Sequence, residues 1–240
     1  VPLLRGALDA AKRRSPRAYW RVRTAASLAA WYAQRARDRV RPERATRFDE
    51  DFWRRNETGD WDGFGRAILR RFPASSALDV GCGDGKLLAA MRRISPHLTA
   101  MGVDQSPAAL ERARARGIPA RALDLAGTPM PRIATFAREL GRFDLAISLE
   151  TVEHVPAWHS AKLLRLLTSC APVIVFSGAQ PLQGGVLHVN ERPPEHWIAR
   201  FRELGYELAP ENDALRADVA ALELPPWYAA NVNAFVRRGA

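Results

Sequence analysis

Glu150-Thr-Val-Glu-His154 sets two carboxylates and an imidazole within five residues. In a helical turn, positions i, i+3 and i+4 share a face, so Glu150, Glu153 and His154 are expected to point together. Such a trio can hold a divalent ion, and hard oxygen ligands favour magnesium or manganese over zinc. His188, in Val186-Leu-His-Val-Asn190, is the fourth candidate ligand. An ion there would bind a hydroxyl and lower its pKa. Without one, His154 or His188 can take the proton as a general base, with Glu153 beside them. The plainer alternative is that Glu150 only borders a neighbouring ligand and His154 caps a turn.

A second constellation lies upstream, in Ala77-Leu-Asp-Val-Gly-Cys-Gly-Asp-Gly-Lys86. It reads as a buried strand entering a loop with glycine at alternate positions. Gly81, Gly83 and Gly85 lack Cβ, which permits a tight turn and lets a nucleotide-like ligand approach the backbone. The sixth position from Gly81 is Lys86, so the dinucleotide fingerprint fails, and no Gly-Lys-Ser/Thr follows to make a phosphate loop. Leu98–Val103 reads as the next strand and ends in Asp104, where an α/β nucleotide site wants a carboxylate for ribose hydroxyls.

The elements that must carry these residues alternate. Lys86–Met91 is helical in pattern, and Ser106 can cap a helix over Pro107–Arg116. Ala120–Leu125, Arg142–Leu149 and Ala171–Ser177 read as strands, with a helix over Ala157–Ser169. Glu195–Leu204 is helical, Tyr206–Ala209 extended and Asn233–Arg238 a terminal strand. Alternation of this kind implies a mostly parallel sheet covered on both faces. Ligands bind beyond the carboxyl ends of such strands, where Gly81, Asp104, Asp124 and Glu150 fall.

Asp79, Gly81, Gly83 and Gly85 resemble motif I, Asp-x-Gly-x-Gly-x-Gly, of the class I S-adenosylmethionine-dependent methyltransferases. The resemblance covers roughly residues 48–238. It implies an α/β, Rossmann-like seven-stranded sheet with helices on both faces and an antiparallel last strand. It implies S-adenosylmethionine as cofactor, with Asp124 on the adenine amino group, Leu125 against the ring, and Cys82, Gln105 and Leu149 completing the set. Glu-x-x-Glu-His is similar to the same region of two metal-using branches, the small-RNA 3′-terminal 2′-O-methyltransferases and the ubiquinone-pathway O-methyltransferases. In the RNA enzymes a later histidine completes the site, which implies Glu150, Glu153, His154 and His188 as ligands here. Gln183–Trp197, with the Gly184-Gly185 pair and polar or aromatic Asn190, Glu191, Arg192 and Trp197, lies where the family builds its substrate loop. With Trp53, Gly59-Asp60-Trp61 and Pro225-Pro226-Trp227-Tyr228, it looks like bacterial glycan and secondary-metabolite methyltransferases.

A chain of 240 residues, 47% hydrophobic, can bury one substantial core. The expected division is a basic helical extension over 1–47 and the catalytic domain over 48–240. Residues 1–47 hold 13 Lys/Arg against 3 Asp/Glu, and residues 48–240 hold 23 of each, so the extension carries all of the net +10. Ala18–Arg41 reads as a helix with Trp20, Leu28, Trp31 and Tyr32 among its apolar positions. That pattern suits an anionic membrane surface or a nucleic acid. The alternative is an extra helix packed on the domain with its arginines in solvent. No apolar run is long enough to span a membrane, and none has the layout of a signal peptide. Two cysteines, Cys82 and Cys170, do not make a disulfide scaffold. The expectation is therefore a cytoplasmic protein, peripheral at the membrane if the arm docks there, with self-association left open.

The leading functional reading is O-methylation of a saccharide or related hydroxylated small molecule, assisted by magnesium or manganese. RNA 2′-O-methylation is the second, although the domain itself lacks the basic surplus that an RNA groove needs. A non-catalytic scaffold is the third.

Overall fold

The computed structural model describes residues 12–40 and 59–239. Trp53 and the expected domain boundary after residue 47 lie outside the described residues. Seven strands form one sheet: β1 Ser76–Val80, β2 Thr99–Asp104, β3 Ala120–Ala122, β4 Leu145–Ser148, β5 Val173–Phe176, β6 Tyr206–Leu208 and β7 Asn233–Arg237, in the order β3-β2-β1-β4-β5-β7-β6. The first five run parallel, while β7 pairs antiparallel with β5 and β6, as expected of the last strand.

Strand side chains alternate between two cores, because successive Cβ atoms point to opposite faces. Leu78, Val80, Ala146, Ile174 and Phe235 face one core, under helices that contribute Ile133, Leu163, Leu167, Trp197 and Phe201. Ala77, Leu145, Ile147, Val175 and Ala234 face the other, with Phe64, Ile68, Leu88, Met91 and Leu215. β3 is shorter than the expected Ala120–Leu125 for a local reason. Asp124 Oδ1 accepts from the amides of Ala126 and Gly127 (3.1 and 3.0 Å), and this side-chain turn ends the extended run.

Within the basic N-terminal segment, Pro16–Val40 forms helix α1. Helix α2, Trp61–Arg71, follows, with Asp60 capping it by accepting from Gly63 N at 2.7 Å. Helix α3, Lys86–Ile94, starts directly from the glycine loop. α1 lies on the domain, but two of its arginines face the domain rather than solvent. Arg35 pairs with Asp124 and Arg23 with Glu191.

Candidate active site

The strand ends build one mouth. Gly81 N and Cys82 N both donate to Val103 O (2.7 and 3.1 Å), which ties the loop after β1 to the end of β2. Gly81 has φ +82°, and a Cβ there would stand 2.2 Å from Thr151 Oγ1. Only glycine fits this position. Gly85, at φ +75°, begins α3, and a Cβ on it would press Ala113 Cα at 3.2 Å. Asp104 accepts from Gly83 N (2.9 Å) and Ser106 N (2.8 Å), so its carboxylate is anchored between loop and helix.

A cavity of about 620 Å³ opens over these ends. Asp79, Gly81, Cys82, Gly83, Asp104 and Gln105 line one part, and Leu123, Leu125 and Leu149 make an apolar wall. The cavity continues to Glu150, Glu153, His154 and His188, and Trp31, Trp61, Trp227 and Tyr228 border it. Two residues of the expected cofactor set are not in its lining. Gly85 acts through backbone shape, and Asp124 is clamped by Arg35, with Nη1 to Oδ1 at 3.1 Å. Burial pushes the Asp124 carboxyl up, but Arg35 and the Gly127 and Ala126 amides outweigh it and hold the group below its ordinary range.

Glu153, His154 and His188 converge, with one donor atom from each lying within 4.8 Å of the others. The His154 and His188 rings are 5.0 Å apart and nearly perpendicular. Glu150 does not join them, which corrects the expected shared face. It has φ +47°, so the chain turns before Val152–His154 forms a 3-10 turn instead of an α-turn. Its carboxylate instead accepts from Gln183 Nε2 (2.8 Å) and Asn231 Nδ2 (3.0 Å). His188 reaches the cluster because the amides of Val189 and Asn190 donate to Glu153 O (2.8 and 3.1 Å).

Glu153 is 1% exposed, and neither carboxylate oxygen has a hydrogen-bond partner among the described residues. Burial, and then the charge of Glu150, push its carboxyl well above the ordinary range. An isolated buried carboxylate is costly, and a cation between it and two imidazoles removes that cost. The donor set of one carboxylate and two imidazoles thus fits a divalent ion with three protein ligands and open positions, although imidazole nitrogens suit manganese better than magnesium. Asp79 is also buried, and burial together with the Asp104 charge raises it to about 8. Asp104 is raised by burial, against the pull of amide donors at Ser106 and Gly83. Burial likewise lifts the Cys82 thiol, leaving it a poor nucleophile beside the loop.

The substrate-loop expectation divides. Trp61, Pro225, Trp227 and Tyr228 line the cavity. Trp197 instead sits in the core against Phe176, 2% exposed. Asn190 and Glu191 are buried supports: Asn190 Nδ2 donates to Val152 O at 3.4 Å, while Glu191 accepts from Leu182 N and Gly184 N at 3.0 Å each. Sequence reasoning missed Trp31, whose indole donates to His154 O at 3.1 Å, and it missed Arg23 and Arg35. A signal for them exists. Trp20, Arg23, Thr24, Ser27, Leu28, Trp31, Gln34 and Arg35 recur at helical spacing, and all are at least partly buried.

Residues 32–212 match a family described as a methyltransferase domain. A ubiquinone biosynthesis O-methyltransferase from Marinobacter nauticus is 36% identical over 81 residues, which is 33% of this chain and 33% of that one. The match therefore spans about a third of that relative's length. Among solved structures, a sugar N-methyltransferase from Streptoalloteichus superposes with TM-score 0.56 at 18% identity, covering 79% of this chain and 93% of that one. Magnesium protoporphyrin IX methyltransferase from Synechocystis, with bound SAH, gives 0.54 at 16% identity, over 74% and 81%. Likeness at these identities concerns the fold.

Proposed function

The chain belongs to the methyltransferase domain family, and on that premise we propose that it moves a methyl group from S-adenosylmethionine to a hydroxyl of a saccharide or related small molecule, with a divalent ion at Glu153, His154 and His188. The observation that carries this reading is the single cavity running from the glycine loop to that cluster. One end has the features of a nucleoside site: a glycine turn, the Asp104 carboxylate and a leucine wall. The other end offers proton-handling groups under aromatic faces. Trp61, Trp227 and Tyr228 present flat surfaces suited to a sugar ring and exclude water from the transfer.

Bound at this site, the cofactor supplies an electrophilic methyl on a sulfonium, and the ion lowers the pKa of the acceptor hydroxyl. The chain's part is to align the reactants and to hold the group that draws off the proton. The S–CH3 bond breaks as the O–CH3 bond forms, and alignment of the two reactants supplies much of the acceleration. With an ion held on both imidazoles, the hydroxyl proton would leave to water at the cavity mouth; with no ion bound, His154 or His188 would take it. Asp79, lining the cavity beside the glycine loop, would hold the positively charged part of the cofactor. Asp104, held by the Gly83 and Ser106 amides, would accept from the ribose hydroxyls.

The RNA reading rests on α1 and the residues just before it, where Arg13, Arg14, Arg17 and Arg21 are exposed and Lys12 Nζ reaches Leu182 O of the acceptor loop at 3.4 Å. The same cations suit an anionic membrane. No helix among the described residues is long and apolar enough to cross one.

The test of the ion is thermal. Magnesium or manganese at 100 times its Kd should stabilise the wild type by about 2.7 kcal/mol, which raises Tm by roughly 5–11 °C. Glu153→Gln should remove that response. A wild type that melts identically with ion and with chelator would return His154 and His188 to metal-free base catalysis.

A further inference from the structure

α1 touches the site at three places. Trp31 lines the cavity at 4% exposure and donates to His154 O. Arg35 closes on Asp124 at the cofactor end. Arg23 pairs with Glu191, whose side chain is 1% exposed, at the acceptor end. The third contact carries furthest, because Glu191 is itself joined to a reacting group. Glu191 Oε1 lies 3.1 Å from His188 Nδ1.

Glu191 Oε2 pairs with the Arg23 guanidinium and accepts from Leu182 N, while Oε1 accepts from Gly184 N, so both oxygens face donors. Glu191 is therefore a carboxylate, an acceptor with no proton to give. The ring nitrogen facing it must be the donor, so His188 carries its hydrogen on Nδ1 and turns Nε2, as a lone pair, away from Glu191. The same carboxylate holds the amides of Leu182 and Gly184, so ring and loop are set by one anion. Gly185 leaves the space that Nε2 needs, since a Cβ there would fall 2.0 Å from it. Without Arg23, a buried carboxylate would face burial with one fewer cation.

We infer that α1 is part of the reaction site: Arg23, acting through Glu191, is a positioning residue that fixes the tautomer and orientation of His188. The inference rests on the reading of His188 as metal ligand or proton acceptor. Partners one step removed from a ligand commonly govern its affinity in this way.

The experiment uses the full chain labelled with 15N-histidine, as wild type, Arg23→Met, Arg23→Lys and Arg37→Met, with His188→Gln to assign the resonance. Spectra at pH 8.5, where an ordinary imidazole is neutral, report which ring nitrogen holds hydrogen. Manganese titration gives affinity, and methyl transfer gives kcat and KM separately. The wild type should show His188 protonated on Nδ1. Arg23→Met should mix the tautomers, weaken manganese binding about 10-fold or more, and lower kcat more than it raises KM. Arg23→Lys should recover part of each, and Arg37→Met, altered at an exposed position of α1, should match wild type. If Arg23→Met unfolds, the isosteric Glu191→Gln reads the same coupling from its other partner. An unchanged tautomer and unchanged affinity in a folded variant would overturn the inference. A tautomer shift in a protein that binds no manganese would remove the metal reading and leave the positioning role standing.

Discussion

Cofactor uptake should release a proton, and Asp79 is the reason. Its carboxyl is 5% exposed and raised to about 8 by burial and by Asp104. At pH 7 about nine in ten molecules therefore hold Asp79 neutral. A sulfonium and an ammonium group arriving beside it favour the carboxylate, so binding near pH 7 should expel about 0.9 proton. If the bound carboxyl returns to its ordinary range, affinity should rise about 20-fold between pH 6 and pH 7.5. Calorimetry at pH 7 in buffers of different ionisation enthalpy counts the proton directly. Asp79→Asn should make the heat independent of buffer and flatten the affinity profile. The ligand-free protein should show the matching stability effect. The folded value lies above the unfolded one, so this group's contribution is complete below about pH 4 and is lost as pH rises toward 8, by at most about 1.4 kcal/mol per unit. Buffer-independent heats in the wild type, with affinity flat from pH 6 to 7.5, would refute the placement of Asp79 beside the cofactor's positive charge.

Three further expectations are local. Gly81→Ala should cost at least about 2 kcal/mol in urea denaturation, from its positive φ and the overlap with Thr151; a loss under about 0.5 kcal/mol would mean the loop relaxes freely. Trp31→Phe keeps an aromatic wall but deletes the donor to His154 O, so stability should fall by about 1 kcal/mol while kcat falls severalfold; unchanged kcat would separate α1 from the chemistry. Tyr206→Phe removes a hydroxyl shared between the carbonyls of Thr168 (3.1 Å) and Ala171. That change should cost about 1–2 kcal/mol with kcat intact, and a loss of activity at equal foldedness would contradict the separation of core from site.

The fold was legible because its signals are local. Short apolar strand runs, the glycine loop and the Ser106 cap each lie within a few residues, and Ser106 Oγ does accept from Ala109 N at 3.3 Å. The convergence of Glu153, His154 and His188 was legible in part, since a strand end and a following loop place them on one sheet edge. Glu150 was misplaced because the i, i+3, i+4 argument presumes an α-turn, and a residue at φ +47° breaks it. Trp197 looked like a loop aromatic, yet it belongs to the helix Pro194–Glu203 and fills core space beside Phe176. Arg35 and Asp124 are 89 residues apart, a pairing that no spacing rule contains. Arg23 and Arg35 were counted with the solvated charges of a basic arm. The half-buried stripe of α1 places them on the inward side, where a guanidinium meets a carboxylate instead of water.

The most direct measurement of the central claim is transfer of a labelled methyl group from S-adenosylmethionine to parallel pools of oligosaccharide and small RNA, each with magnesium, with manganese and with chelator. The account predicts label in the saccharide pool as an ether stable to mild base, strongest with one of the ions and lost with chelator. Label in RNA alone, or saccharide labelling indifferent to chelator, would contradict it.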